Sequence, residues 1–557
     1  AELDKARIAV EAAVVRQLET AQGRARSLGW HATVAGDPHF GHVYLDRVRA
    51  VRRHDVADVL RRYLRPERAS VAAILPATGR ARRTAWANQA ETRVRKALST
   101  PAAAVPAAEQ RIVLASGMTL IVRRDPSVPI VAMRAVWRGG QRIEDADHAG
   151  ASTLIARMLT RGCAARDAHA VADRIDRLGG ALAGIAGRNS FGVAAEWLAR
   201  SWEPGLSLLA DCVLEPALSS TELLRERRLL LDDQRAQRAS PSQAAFRLFS
   251  EALYGTHPYA RDPLGTAESV GGLTRAELAR FYRERYPAQA MTLAIVGDIE
   301  PDEVIARVRE RFGELPKITA PAAPVIAAVS FDGRAAGDRE VYRFLDRAQA
   351  HLVIGFPGTT VDAADRFALE VLVAILGGQS GRLFAELREH QALVYRVSAH
   401  SIEGVDPGPG FVAIYLSCAP DKLAAAVAGV RGELARLRDG GVTADETLRA
   451  QRYLIGSHQI AMQRRAAVAS AMAYHEAYGL GWQSWADYDT AIRAVTPAQI
   501  AAAAATYLRD DRAITATIRP PIATPAATRR SKLPAPGGAP APRPPAKHPP
   551  PRPRGNV

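Results

Sequence analysis

The chain is poor in cysteine: Cys163, Cys212 and Cys418 are the only three in 557 residues. They are far apart, odd in number and without C-x-x-C spacing. This excludes a disulfide framework or a cysteine zinc knuckle and leaves buried free thiols as the reading. Long apolar runs are also missing, so no segment reads as a membrane span. The opening AELDKARIAVEAAVVRQLE is a charged amphipathic helix, not the basic start and apolar middle of a signal peptide. No compartment follows from any of this. Acidic residues are outnumbered, 58 against 74 Lys and Arg, for a formal net charge of +16. Much of the excess sits in linkers and in a tail beyond Pro520, where Arg529, Arg530, Lys532, Arg543, Lys547, Arg552 and Arg554 stand among prolines with no acid. Such a segment reads as disordered and solvated. No nucleic-acid reading module accompanies the charge, so no specific nucleic-acid partner is expected.

What the chain does contain is enough apolar sequence, 48% of residues, for several cores, and one segment that occurs three times. Residues 44 to 76 align without a gap onto 488 to 520, sharing Arg49/Arg493, Val51/Val495, Tyr63/Tyr507, Leu64/Leu508, Arg65/Arg509, Arg68/Arg512 and Pro76/Pro520. A looser copy, LTRAELARFYRERYPAQAMTLAIVGDI, spans 273 to 299. Each reads as a turn, an amphipathic helix ending near a Tyr, a break and an apolar strand. Copies so far apart mark the ends of successive large domains. The first end arrives 76 residues in, so the chain is expected to open inside a domain.

The resulting organisation is residues 1–78 as the end of a preceding domain, an Arg/Ala/Pro-rich linker at 79–106 and a domain at 107–316. A second linker at 317–336, a further domain at 337–520 and a basic Pro-rich tail at 521–557 complete it. In the first full domain RIVLASGMTLIVRRD and PIVAMRAVWRGG read as two strands joined by a Pro-containing turn. Helices are expected at 150–161 and near 166–178, strands around 181–197, and helices at 202–213 and 220–238. Strands and helices without regular βαβ alternation indicate α+β domains, each a mixed sheet with helices on one face.

Four segments, in order, carry a resemblance: VWRGGQRIEDADHAGASTLIARMLTRG (136–162), ALYGTHPYARDPLGT (252–266), LAIVGDI (293–299) and GRLFAELREHQALVYRVSA (381–399). In order and spacing they resemble the pitrilysin/insulinase family of zinc metallopeptidases, which includes the mitochondrial processing peptidases. In that family H-x-x-E-H lies on the helix after the Gly-containing turn, and a third ligand, a Glu, follows some seventy to eighty residues later. Two His four apart share a helical face and grip Zn²⁺ while the Glu between them handles the proton of bound water. The matching positions here are Thr153, Ala156 and Arg157, with Asp232 or Asp233 at the later one. A guanidinium has no lone pair to donate and one carboxylate does not hold catalytic zinc. No metal is therefore expected in this chain, and Leu154, Ile155, Met158 and Leu159 are assigned to the core of an ordinary amphipathic helix. His148, His257 and His390 do not rebuild a site.

The resemblance also assigns a substrate clamp. Arg388 and Tyr395 match an Arg and a Tyr that, in the zinc-free half of the family's enzymes, reach across and hydrogen-bond the substrate near the scissile bond. An Arg and a phenol can hold peptide carbonyls and help stabilise a developing oxyanion. The simpler alternative is a surface ion pair for Arg388 and a packed ring for Tyr395. The Gly run GGQSG at 377–381 lacks the Lys-Ser/Thr of a phosphate loop and reads as a turn before a helix. The implied role is the non-catalytic half of a zinc metalloendopeptidase, binding unfolded peptides and closing a chamber against a zinc-bearing half, supplied upstream or by a partner subunit. The alternative is a pseudo-peptidase scaffold with no part in proteolysis.

Overall fold

The computed structural model describes residues 2–63, 109–163, 165–315, 339–405 and 409–521. The linkers, the strand expected after Tyr63 and the basic tail lie outside them. In chain order, four helices come first: α1 (Glu2–Gln17), α2 (Ala21–Val34), α3 (Phe40–Ala50) and α4 (Arg53–Tyr63). The first half then runs β1 (Glu109–Val113), β2 (Thr119–Arg124), β3 (Ile130–Arg138), α5 (Ala151–Leu159), the two-residue strands β4 (Gly162–Cys163) and β5 (Arg166–Asp167), α6 (Ala168–Leu178), β6 (Ala181–Ala186) and β7 (Ser190–Leu198). It continues through α7 (Trp202–Leu214), α8 (Ser220–Ala239), α9 (Pro241–Tyr254), α10 (Ala267–Gly272), α11 (Arg275–Arg285), β8 (Thr292–Gly297) and α12 (Pro301–Phe312). The second half comprises β9 (Arg339–Phe344), β10 (Ala350–Pro357), α13 (Arg366–Leu376), α14 (Arg382–Phe384), β11 (Val394–Ile402), β12 (Phe411–Cys418), α15 (Leu423–Gly440), α16 (Ala444–Ala461), α17 (Arg465–Ala477), α18 (Tyr488–Ala494), α19 (Pro497–Tyr507) and β13 (Ile514–Arg519).

Two mixed sheets result. One has the order β1-β2-β8-β3-β7-β6 and the other β11-β12-β10-β13-β9. Apart from β1, they repeat the same scheme. In each, a central strand is flanked by antiparallel neighbours, and the strand of the repeated terminal unit (β8 or β13) pairs in parallel with the strand that opens the half (β2 or β9). The run at 111–125 is a hairpin of β1 and β2 rather than one strand, because the chain reverses at Gly117, whose φ is +99°.

One face of each sheet is covered by helices of its own half, as the α+β reading requires. The other face is covered by a helix lent by the opposite half. Val468, Ala469, Met472 and Ala473 of α17 pack on Ile121, Ala132, Val136, Ala294 and Val296 of the first sheet. Ala245, Phe249 and Leu253 of α9 pack on Val353, Ala413, Ile514 and Ala516 of the second. Fully burying such side chains stabilises by about 1.5–3 kcal/mol each, so the exchange fastens the halves to one another. Polar ties reinforce it: buried Arg134 on β3 donates from Nε to Ser470 Oγ of α17 at 3.0 Å. Arg465 at the start of α17 pairs with Asp125 at 3.1 Å.

Helix α1 packs on the first half. Glu11 is buried and bridges Arg200 and Arg49 at 2.9 and 2.6 Å; the Arg200 guanidinium, more than the Arg49 one, holds its carboxyl below the usual range. Glu19 accepts from the Arg465 backbone at 2.8 Å. Beyond α1 the packing thins. Trp30, Val34, Val59, Leu60 and Tyr63 are 65, 63, 55, 47 and 57% exposed. In the repeat this is a sharp contrast. Ile500, Ala503 and Ala504 of α19 occupy the positions of Val56, Val59 and Leu60 and are 0, 2 and 0% exposed, against 40, 55 and 47% for the first copy. The three thiols are buried and free.

Candidate functional site

Helix α5 forms because Ala151, Leu154, Ile155, Met158 and Leu159 recur on one face, and all five are buried. Its start is set by residues that the motif does not contain. The buried Glu144 carboxylate accepts from the backbone N–H groups of Gly150 and Ser152 at 2.9 and 2.7 Å, capping the helix as a side chain at an N-terminus does. Burial alone pushes the Glu144 carboxyl up. Ser152 Oγ and the fully buried Tyr286 hydroxyl are 2.7 Å apart. Gly150 has φ +91°, and a Cβ there would meet Leu264 O at 2.9 Å. On its far side α5 lies so close to β6 that a Cβ on Gly184 would stand 1.8 Å from Ala156 O.

The positions where the resemblance would place metal ligands are engaged otherwise. Thr153 Oγ1 donates to Pro263 O at 2.7 Å. Arg157 Nη2 donates to Asp233 Oδ2 on α8 at 2.6 Å, while Asp232 pairs with Arg235. Ala156 is buried. The fold thus brings Arg157 and Asp233 together and ties α5 to α8 with a guanidinium–carboxylate pair. These residues do not fit a zinc ion: the cation already present is the guanidinium, which cannot coordinate. Among the described residues there is no group of three or more His, Cys, Asp or Glu placed to hold a metal. His148 lies 2.8 Å from Asp145, and His390 3.2 Å from Glu386. Buried His257 accepts from Tyr259 N at 3.1 Å, and its pKa falls to about 4, chiefly through burial.

Arg388 and Tyr395 occupy a corner where the backbone departs from regular geometry twice. Arg388 lies in a π-helical turn, Ala385–His390, and its guanidinium sits over the Phe384 ring at 4.9 Å. The chain then turns through Ala392, at φ +49°, held by Leu393 N donating to Leu387 O at 2.8 Å and Lys422 Nζ donating to Ala392 O at 2.8 Å. Tyr395 is the extra residue of a β-bulge: Val394 pairs with Cys418 and Arg396 with Ser417. Bulges re-aim side chains, and π-turns concentrate at functional positions. Tyr395 is 60% exposed and Arg388 is exposed as well. No hydrogen bond or ion pair engages either among the described residues, so neither the surface ion pair nor the packed ring is found. The neighbouring Arg382, in contrast, is locked by Glu446 of α16 through two bonds of 2.6 and 2.8 Å.

Among the described residues no helix is long and apolar enough to cross a membrane. Residues 119–267 match the model of the insulinase family (peptidase family M16), and residues 272–454 match the peptidase M16 inactive domain. An uncharacterised zinc protease of Mycobacterium leprae is 32% identical over 351 residues, covering 62% of this chain and 77% of that one. One from Streptomyces coelicolor is 27% identical over 398 residues, covering 71% and 86%. A peptidase M16 inactive domain from Pseudomonas fluorescens superposes with a TM-score of 0.67 at 24% identity, over 74% of this chain and 98% of that one. A Helicobacter pylori protease gives 0.68 at 18%, over 74% and 100%. Fold, matched models and relatives agree: the chain belongs to the insulinase (M16) peptidase family.

Proposed function

We propose that this chain is the non-catalytic half of an M16-type zinc endopeptidase: the end of one peptidase-type domain, then two more whose work is to hold unfolded peptide against a zinc-bearing half. Zinc and nucleophile would come from that half, in the same polypeptide or a partner subunit. The observation that carries the reading is the corner at Arg388 and Tyr395. Two irregular backbone elements, a π-helical turn and a β-bulge, present to solvent a guanidinium stacked on the Phe384 ring and a phenol, and among the described residues neither side chain has a hydrogen-bond or ion-pair partner. Both groups can donate to peptide carbonyls, and such bonds strengthen as charge develops on an oxygen under attack.

The test is to combine the chain with a zinc-bearing M16 half, confirm assembly by size-exclusion chromatography, and follow cleavage of a quenched fluorescent peptide. Arg388→Ala and Tyr395→Phe should each lower turnover about 10²-fold or more, whereas Arg396→Ala should matter less. Full turnover in both assembled variants would overturn the clamp and leave the second reading, a scaffold outside proteolysis. The Arg157–Asp233 pair favours that second reading to the extent that it stabilises α5 and α8 without any catalytic group.

A further inference from the structure

Two of the three thiols meet. Cys163 lies on β4 and Cys212 on α7, with α6, β6 and β7 between them in the chain. The short strand β4 is laid against the segment that follows α7: Cys163 bridges Pro216, and Ala217 N donates to Gly162 O at 3.1 Å. Cys212 stands one helical turn before Pro216. The same contact therefore carries its side chain to Cys163, and the two thiols are in hydrogen-bond contact. Both belong to the core of the first half, Cys163 at 3% and Cys212 at 0% exposure.

The pair is asymmetric. Cys163 borders a cleft of about 520 Å³, together with Arg161, Arg166, Asp167 and Glu222. It faces Arg166 across the β4–β5 pair. The Arg166 guanidinium donates to the Cys163 sulfur and also to Asp211 Oδ2, the latter at 2.7 Å. A sulfur beside a cation and open to small molecules is the setting of a reactive cysteine. Cys212 lies deeper, and burial pushes its thiol up to about 12. Cys418, on β12 in the core of the second half, is also pushed up by burial, to about 11. One thiol of the pair thus faces outside chemistry, and the other stands behind it where a resolving cysteine stands.

We propose that Cys163 and Cys212 form a hydroperoxide-reactive pair, in which Cys163 is oxidised first and Cys212 resolves it to a disulfide. The Cys163 sulfur attacks one oxygen of a hydroperoxide in the cleft. An S–O bond forms, the O–O bond breaks, and the departing oxygen takes the thiol proton as water or an alcohol. The Cys212 sulfur then attacks Cys163. The S–S bond forms, the S–O bond breaks, and the leaving hydroxide takes the Cys212 proton as water. The two thiols lose two electrons and the hydroperoxide gains them. The product ties β4, just beyond α5, to α7, and a dithiol returns it to the reduced state by exchange.

The experiment uses the full chain, reduced, freed of reductant and treated with a few equivalents of hydrogen peroxide. It is then alkylated in denaturant and digested with trypsin without reduction. Peptide 162–166 should appear joined to 201–225, with Cys418 alkylated, and dithiothreitol should separate the two. In Cys212→Ala, dimedone should trap Cys163 as the sulfenic acid at least about tenfold more than in the unaltered chain, where Cys212 removes the intermediate. In Cys163→Ala, Cys212 should be oxidised at least about tenfold more slowly, having lost the thiol that meets the peroxide. An unaltered chain that keeps all three thiols would overturn the proposal. So would a cross-link that includes Cys418, or a Cys163 that stops at the sulfenic acid beside an intact Cys212.

Discussion

The two halves place the same trio around one spot: a short apolar helix, a long helix behind it and the last strand of the sheet. In the first half that spot is closed. α5 touches β6 so closely that only glycine fits at 184, and Arg157 pairs with Asp233 across to α8. In the second half the cross-tie has moved to Arg382 at the start of α14 and Glu446 of α16, and a cavity opens between helix and edge strand. The lesson is that one α+β scaffold can close a corner in one half and leave it open in the other by changing a few side chains, because the helices are positioned by their apolar faces and not by the groups at the corner. A similar contrast separates the terminal units. The copy at 488–520 covers a sheet, whereas the helices of the copy at 44–76 leave their apolar face in water.

The largest effect should come from breaking that last contrast. Ile500→Asp places a carboxylate in a fully buried site and should cost more than about 4 kcal/mol, enough to abolish the cooperative transition in a urea melt. Val56→Asp, the equivalent change in the first copy, should stay within about 0.5 kcal/mol because Val56 is 40% exposed. Equal losses would mean that the first face is covered after all.

The next effect concerns the two cross-ties. Arg382→Ala should destabilise by about 2–3 kcal/mol, since it leaves Glu446 poorly solvated and without its bidentate partner. The same pair gives a pH signature. Arg382, with help from the Thr443 backbone N–H, lowers the Glu446 carboxyl from 4.5 to about 2. A carboxyl depressed in the folded state contributes stability that is complete above its unfolded value and is lost as pH falls through the folded one. The stability difference between the native chain and Arg382→Ala should therefore be constant above about pH 5 and shrink between about pH 4.5 and 2. Urea titrations at a series of pH values would measure it. Arg157→Ala, with Asp233 more than half exposed, should cost less than about 1 kcal/mol.

The smallest effect is expected from metal. With Thr153, Ala156 and Arg157 at the three motif positions, zinc added at a few equivalents should shift the melting temperature by less than about 1 °C, and elemental analysis should find no stoichiometric zinc. One tightly held zinc per chain would contradict the assignment of the closed corner.

Much of this was legible in one dimension. Helices α5 through α8 and strands β6 and β7 follow from apolar periodicity, which needs only the local preference of a chain to bury one face. The repeated units at 44–76 and 488–520 are legible because the two copies share Tyr, Arg and Pro at fixed offsets. The family came from the order of four segments. Other features had no local signal. Glu144 and Tyr286 hold α5 from 6 and 134 residues away from the groups they bind. The bulge at Tyr395 depends on the register of β12, and nothing in VYRVSA announces an extra residue. The hairpin at Gly117 was missed because its turn is short and its strands share one apolar pattern.

The sequence by itself determined where most helices and strands of the 107–316 domain form, and that Thr153, Ala156 and Arg157 stand at the motif positions, since these depend on side-chain chemistry and short-range spacing. Only the tertiary structure decided that α9 and α17 cross to the opposite sheet, that Arg157 meets Asp233 and that the edge of β11 borders a cavity. Each of these is a contact between segments far apart in the chain, fixed by how two sheets and their helices exclude water together, a property of the assembled packing and not of any one segment.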